Sequence, residues 1–176
     1  MNRGIVLVSG APGSGKTTLA GMLAESLQMN LIGKDLIKET LWDVFDPPRG
    51  DLEWSRRLGA AAMEIIWTLA AQSRRAVLEA NFRPHSDYEK AKLSGLSARL
   101  IEVHCFCPQE VARERYERRA AESNNHPAHV TPTLDSALLA EFDQPVGLGR
   151  VIEVDTTRTV NVDELTEAIV AELADF

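Results

Sequence analysis

Cysteine is scarce in this chain: only Cys105 and Cys107 occur, two positions apart in one apolar run. That spacing turns both side chains to the same side of a strand. It suits no disulfide, and no further cysteines are present to complete a metal cage. A disulfide scaffold is therefore excluded, and buried thiols in a reducing cytoplasm are expected. Long apolar runs are missing as well, which argues against a membrane-spanning helix. Asn2-Arg3-Gly4 leads straight into a strand, with Pro12 and glycines breaking the apolar stretch, so no leader peptide is expected. Basic charge is in deficit, with 19 Lys and Arg against 26 Asp and Glu, a net charge of −7. That balance speaks against a broad nucleic-acid surface, though a local basic groove stays compatible with it. Aromatic residues interleaved with basic ones, as a single-strand groove would need, are also absent. There are no internal repeats and no long linker.

What the chain does have is alternation. Apolar runs suited to strands lie at 4–9, 30–33, 75–80, 99–106 and 151–155. Helical patterns fall between them at 15–28, 35–44, 52–73, 85–96, 108–122 and 134–142, with a last one at 162–174. Strands separated by helices predict βαβ units, a parallel sheet and helices on both faces. The nearly continuous apolar character of Ile5-Val6-Leu7-Val8 and Ala76-Val77-Leu78 fits strands covered on both sides. A length of 176 residues and 44% hydrophobic content suit one α/β domain spanning 1–176. Ligands of such sheets collect at the carboxyl ends of the strands.

The first strand runs into Gly10-Ala-Pro-Gly13-Ser14-Gly15-Lys16-Thr17, a complete Walker A motif, and Thr18 opens a helical pattern. Glycines let the backbone wrap a phosphate while amide groups and the helix N-terminus point at it. Lys16 is placed to reach the β- and γ-phosphates, and the Thr17 hydroxyl to bind Mg²⁺. A nucleoside triphosphate ligand follows. No Asn-Lys-x-Asp sequence occurs, which disfavours GTP, and the chain has no room for the extra helical domain of a ring ATPase.

Further candidates sit at the other strand ends. Asp35 follows the second strand, where a carboxylate either orients an attacking hydroxyl and takes its proton or caps the next helix. Lys38, one turn on, shares its face, where it pairs with that carboxylate, binds an anionic substrate group or is an ordinary solvated lysine. Glu79 ends the third strand at the position that orients Mg²⁺. Asn81 and Arg83 follow at the mouth of the same cleft, as substrate contacts or as turn and surface residues. Past the fourth strand, Arg113, Arg115, Arg118 and Arg119 lie on one helix. Arg115 and Arg119 share a face suited to a transferring phosphoryl group, whereas Arg113 and Arg118 read better as partners of Glu114, Glu117 and Glu122. With the irregular stretch 123–133 they suggest a lid over about 108–133. His126 and His129 in that stretch lack a third metal ligand, so lid or substrate contacts are expected ahead of zinc. Asp155, Thr157 and Arg158, after the last strand, either approach the nucleotide base or shape the turn.

Taken together, these residues resemble the small P-loop kinases of the adenylate-kinase-like group, related to chloramphenicol phosphotransferase and polynucleotide kinase. The resemblance rests on Gly10 to Thr18, Asp35 with Lys38, Glu79 with Asn81, Pro108 with Arg115 and Arg119, and Val154-Asp-Thr-Thr157. It departs at Glu79, where Asp is commoner. It implies a three-layer α/β/α P-loop sandwich with five parallel strands in the order 2-3-1-4-5. It also implies Mg-ATP as phosphoryl donor and Asp35 as the group that orients the acceptor hydroxyl. The expected activity is transfer of the γ-phosphoryl to a small-molecule hydroxyl by a cytoplasmic monomer or homodimer. A polynucleotide 5′-hydroxyl acceptor and a nucleotide-dependent switch are the competing readings.

Overall fold

The computed structural model describes residues 3–121, 125–130 and 133–174. The chain order is β1 (Gly4–Ser9), α1 (Lys16–Ser26), β2 (Asn30–Gly33), α2 (Lys34–Phe45), α3 (Leu52–Gln72) and β3 (Arg75–Glu79). It continues with α4 (Asp87–Gly95), β4 (Arg99–Phe106), α5 (Gln109–Ala121), α6 (Ser136–Ala140), β5 (Arg150–Asp155) and α7 (Val162–Ala174). All strands pair in parallel, in the order β2-β3-β1-β4-β5. The order inferred from resemblance is the order observed.

The central strand β1 is buried from end to end, and its alternate side chains feed two separate cores. Ile5 and Leu7 pack with Leu78, Ile66, Trp67 and Phe82 on the side covered by α3 and α4. Val6 and Val8 pack with Leu23, Val77, Ile101 and Ile169 on the side covered by α1 and α7. Strand β4 departs from the apolar pattern, because Glu102 and His104 are both fully buried. The Glu102 carboxylate accepts from the Ser9 hydroxyl at 2.6 Å and from the Val146 and Gly147 amides at 2.9 Å each. His104 shares the Ser9 hydroxyl through Nδ1 at 2.9 Å. Three hydrogen bonds make burial of this carboxylate tolerable, and they tie the end of β1 to the segment after α6.

Helix ends differ from the expected ones for local reasons. α4 starts at Asp87, later than expected, because the Ser86 hydroxyl caps it by accepting from the Glu89 amide. α6 is only Ser136–Ala140, with Asp135 accepting from the Leu138 amide at its start. α2 begins at Lys34 with Gly33 at its cap and no side-chain cap bond. Asp35 thus lies inside the first turn, and the expectation that it might cap the helix is corrected. Residues 122–124 and 131–132 of the expected helix end and lid loop lie outside the described residues. Among the described residues no helix is long and apolar enough to cross a membrane. Both cysteines are free, and burial pushes the Cys105 thiol up to about 12.

Candidate active site

The loop 10–15 is held by the backbone on two sides. A methyl on Gly10, at φ +135, would stand 2.3 Å from the Cys105 carbonyl oxygen. One on Gly13, at φ +81, would stand 2.1 Å from that of Ala112. The loop is thereby pressed between the end of β4 and the start of α5, with no room for a side chain at either glycine. Gly15 caps α1 without a side-chain bond, leaving the helix's first amides facing the loop. Ser14 Oγ is buried and has no partner. Lys16 is buried, and its Nζ donates to the Ala11 carbonyl at 3.2 Å. Burial holds its ammonium below the usual lysine range, against the pull of Glu79 and Asp35.

Thr17 Oγ1 donates to Glu79 Oε1 at 3.1 Å, joining the Walker A hydroxyl to the end of β3. Burial raises the Glu79 carboxyl above its ordinary range, only partly countered by Lys16. Asp35 is half-buried, which by itself would raise it; Lys34, Lys16, His129 and Lys38 outweigh that and hold it below the usual carboxylate range. It has no hydrogen-bond or ion-pair partner among the described residues. Tyr116 of α5 completes this surround, close enough for Asp35 to raise its phenol, an effect smaller than that of burial.

The wall beyond Asp35 is built from long-range side-chain contacts. Lys38 Nζ donates to Ser55 Oγ at 2.8 Å, and Ser55 Oγ donates to the Ala128 carbonyl at 2.8 Å. His129 Nε2 meets Glu39 Oε1 at 2.6 Å, and His126 Nε2 meets Asp43 Oδ1 at 3.1 Å. Residues 125–130 are thus pinned onto α2 and α3. Among the described residues no group of three or more His, Cys, Asp or Glu side chains is arranged to hold a metal. The two histidines meet carboxylates on α2 instead.

A cleft of about 540 Å³ opens on the opposite side of the loop, between α1, α5 and the turn after β5. Arg115 spans it, donating to Thr156 Oγ1 at 3.1 Å and to the Thr156 carbonyl at 2.9 Å. Arg119, stacked on Tyr116 at 5.6 Å, also lines it, as do Gly15 and Thr18. So does Arg118, which sequence reasoning set aside as a surface partner; its spacing of three from Arg115 was the overlooked signal. Arg113 donates instead to the Leu134 carbonyl and Ser136 hydroxyl. From the β5 turn, Thr156, Thr159 and Val160 face the cleft. Thr157 and Arg158 do not line it: Asp155 accepts from the Thr157 amide and hydroxyl, and Arg158 lies 3.6 Å from the same carboxylate, so the turn holds both at its exposed edge.

Arg83 is committed elsewhere. Its guanidinium pairs with Glu89 at 3.3 Å and Glu141 at 2.7 Å and covers Phe142. Asn81 is half-buried just past Glu79. Trp42 is core, whereas Phe45 stacks on Trp54 with its ring largely exposed.

A five-stranded parallel sheet with this order, and a Walker A loop at the end of its central strand, defines a P-loop kinase-like α/β protein. The chain belongs to the AAA domain family, whose model matches residues 5–145. It is similar to a protein from Chloroflexus aurantiacus J-10-fl provisionally assigned as a kinase, at 28% identity and TM-score 0.87, covering 98% of this chain and 100% of that one. It shares its fold with shikimate kinase from Aquifex aeolicus VF5, at 16% identity and TM-score 0.59, covering 97% and 96% of the two chains. The same holds for Chaetomium thermophilum Kti12 in complex with ADP-AlF3, at 18% identity and TM-score 0.62, covering 96% and 98%. No curated protein matches.

Proposed function

We propose that this chain is a kinase that moves the γ-phosphoryl of Mg-ATP to a hydroxyl of a small molecule. The observation that carries this reading is Asp35, a half-buried carboxylate with no hydrogen-bond or ion-pair partner among the described residues, kept ionised by nearby cations that include the Walker A lysine. A nucleotide switch has no use for such a group. An acceptor hydroxyl does, because an ionised carboxylate in reach can take its proton.

The loop suits a triphosphate: Ser14 Oγ is buried and unpartnered among the described residues, and Gly10 and Gly13 hold the loop tight against the carbonyls of Cys105 and Ala112. In this reading Gly10, Gly13, Ser14, Gly15, Thr17 and Thr18 wrap the phosphates. Lys16 exchanges the Ala11 carbonyl for the β- and γ-phosphate oxygens. Thr17 and Glu79 are the pair that would hold Mg²⁺, which neutralises charge on the phosphates when bound. Asp35 orients the acceptor and accepts its hydroxyl proton as the new O–P bond forms and the bond to the β–γ bridging oxygen breaks, releasing ADP. Arg115 and Arg119 stabilise the charge spread over the transferring group. Asn81 and Lys38 flank the acceptor, and Thr156 and Thr159 border the base end of the cleft.

The test is ADP release from Mg-ATP with pooled hydroxyl compounds, namely antibiotics, sugars, nucleosides and 5′-hydroxyl oligonucleotides. Asp35→Ala runs in parallel. Stimulation by a small-molecule pool in the unmodified protein only is the expected result. Equal slow release in every pool and in both proteins would overturn the reading. Stimulation by oligonucleotides alone would transfer it to polynucleotide ends.

A further inference from the structure

Lys34 and Lys38 lie four positions apart on α2, and their side chains run to one place. A methyl on Gly59 of α3 would stand 3.9 Å from Lys38 Cε and 4.0 Å from Lys34 Cε. Both lysine stems thus converge on the same point of α3, each within ordinary contact distance of it. No carboxylate lies within ion-pair distance of either ammonium among the described residues. Lys38 has only a neutral hydroxyl, Ser55, as its partner, and Lys34 has none. The nearby acids are taken or placed otherwise: Glu39 by His129, Glu79 by Thr17. Burial first, then the neighbouring Lys34, hold Lys38 below the usual lysine range against the pull of Asp35 and Glu39.

Two cations share this half-buried space with one carboxylate, Asp35, that is coupled to both but in ion-pair contact with neither, so the space keeps an excess of positive charge. That excess is relieved when a negative group enters. The location adds direction, since Asp35 stands between the two lysines in sequence and is coupled to both. We infer that Lys34 and Lys38 form an anion subsite, so that the acceptor is a small hydroxy compound carrying a carboxylate or phosphate, its charged group on the lysines and its hydroxyl at Asp35. This rests on the kinase reading above. It narrows the acceptor from any alcohol to a hydroxy acid or a phosphorylated alcohol, and it makes Lys34 a specificity residue.

The experiment sorts acceptors by charge. Neutral sugars and nucleosides, sugar acids, and sugar phosphates are offered separately with Mg-ATP to the unmodified protein and to Lys34→Met. Transfer to one of the charged classes is expected, the responding class distinguishing carboxylate from phosphate. In Lys34→Met the KM for that acceptor should rise tenfold or more, the loss of one charge-assisted contact, with the KM for ATP within twofold. Preference for neutral acceptors, for oligonucleotides alone, or an unchanged acceptor KM in Lys34→Met would overturn the subsite while leaving a kinase standing. If no acceptor is phosphorylated, the kinase reading falls and the subsite is decided by titrating inorganic phosphate and acetate into protein saturated with AMPPNP. Binding that is lost in Lys34→Met and Lys38→Met, both still cooperatively folded by thermal melting, supports the subsite. No binding, or binding equal in all three proteins, overturns it.

Discussion

The two halves of the cleft are built from different materials. On the phosphate side, the loop 10–15 is shaped by glycine backbone pressed against the carbonyls of Cys105 and Ala112. Behind it lies the fully buried carboxylate of Glu102. On the Asp35 side, the walls are side chains reaching across long stretches of sequence, Lys38 to Ser55 to Ala128 and His129 to Glu39. Backbone amides recognise what every reaction of this type shares, a chain of phosphates. Side chains are what a protein can exchange without rebuilding its sheet, and in the proposed reaction they line the acceptor side. A rigid half and a replaceable half meet at Lys16 and Asp35.

The sharpest way to separate the halves is Asp35→Asn. It should lower turnover by about 10²–10⁴-fold and leave nucleotide affinity within twofold, as read by steady-state kinetics and calorimetric titration of AMPPNP. Parallel losses in both would show that the halves are not independent. Glu102→Leu probes the other side through stability. It strands the Val146 and Gly147 amides, at a cost of about 3 kcal/mol, and should lower Tm by about 6–12 °C by calorimetry. Gly13→Ala forces a Cβ onto the Ala112 carbonyl at a positive φ. It should weaken AMPPNP binding by at least about tenfold while the far-UV spectrum stays native.

The pH dependence sharpens the contrast further. Because its cationic neighbours hold Asp35 below the usual carboxylate range, the acid limb of kcat/KM should fall below that range. The same shift means that Asp35 contributes stability above its unfolded-state pKa and loses it as pH drops through the lower folded value. The difference in Tm between the native chain and Asp35→Asn should therefore shrink towards acid. The smallest effect expected is a gain: Lys34→Met removes a like-charge i,i+4 pair and should raise Tm by about 1–2 °C in the absence of ligand.

The fold was legible because its signals are local. Each apolar run and each helical period is complete within its own window, and the Walker A loop is one unbroken string. The candidate site was legible only where residues follow a strand end, as Asp35 and Glu79 do, which the structure brings together around Lys16. That Asp35 does not cap its helix depends on Gly33 occupying the cap, a matter of backbone angles rather than residue type. The convergence of Lys34 and Lys38 on Gly59 is hidden from sequence, because Gly59 lies on another helix. Which residues of the β5 turn face the cleft is equally hidden from sequence, because Asp155 tightens the turn and holds Thr157 at its exposed edge.

Glu102 also sets how much of the chain the phosphate loop depends on. The family model ends at residue 145, one position before the two amides that satisfy this carboxylate. A chain cut there would keep every residue of the Walker A motif. It would lose the partners of the charge buried behind it, the strand β5 and the Thr156 that Arg115 holds. The motif is nine residues of sequence from Gly10 to Thr18. The contacts that hold it in place reach Val146, Gly147 and Thr156, past the end of β5 and far beyond the motif itself.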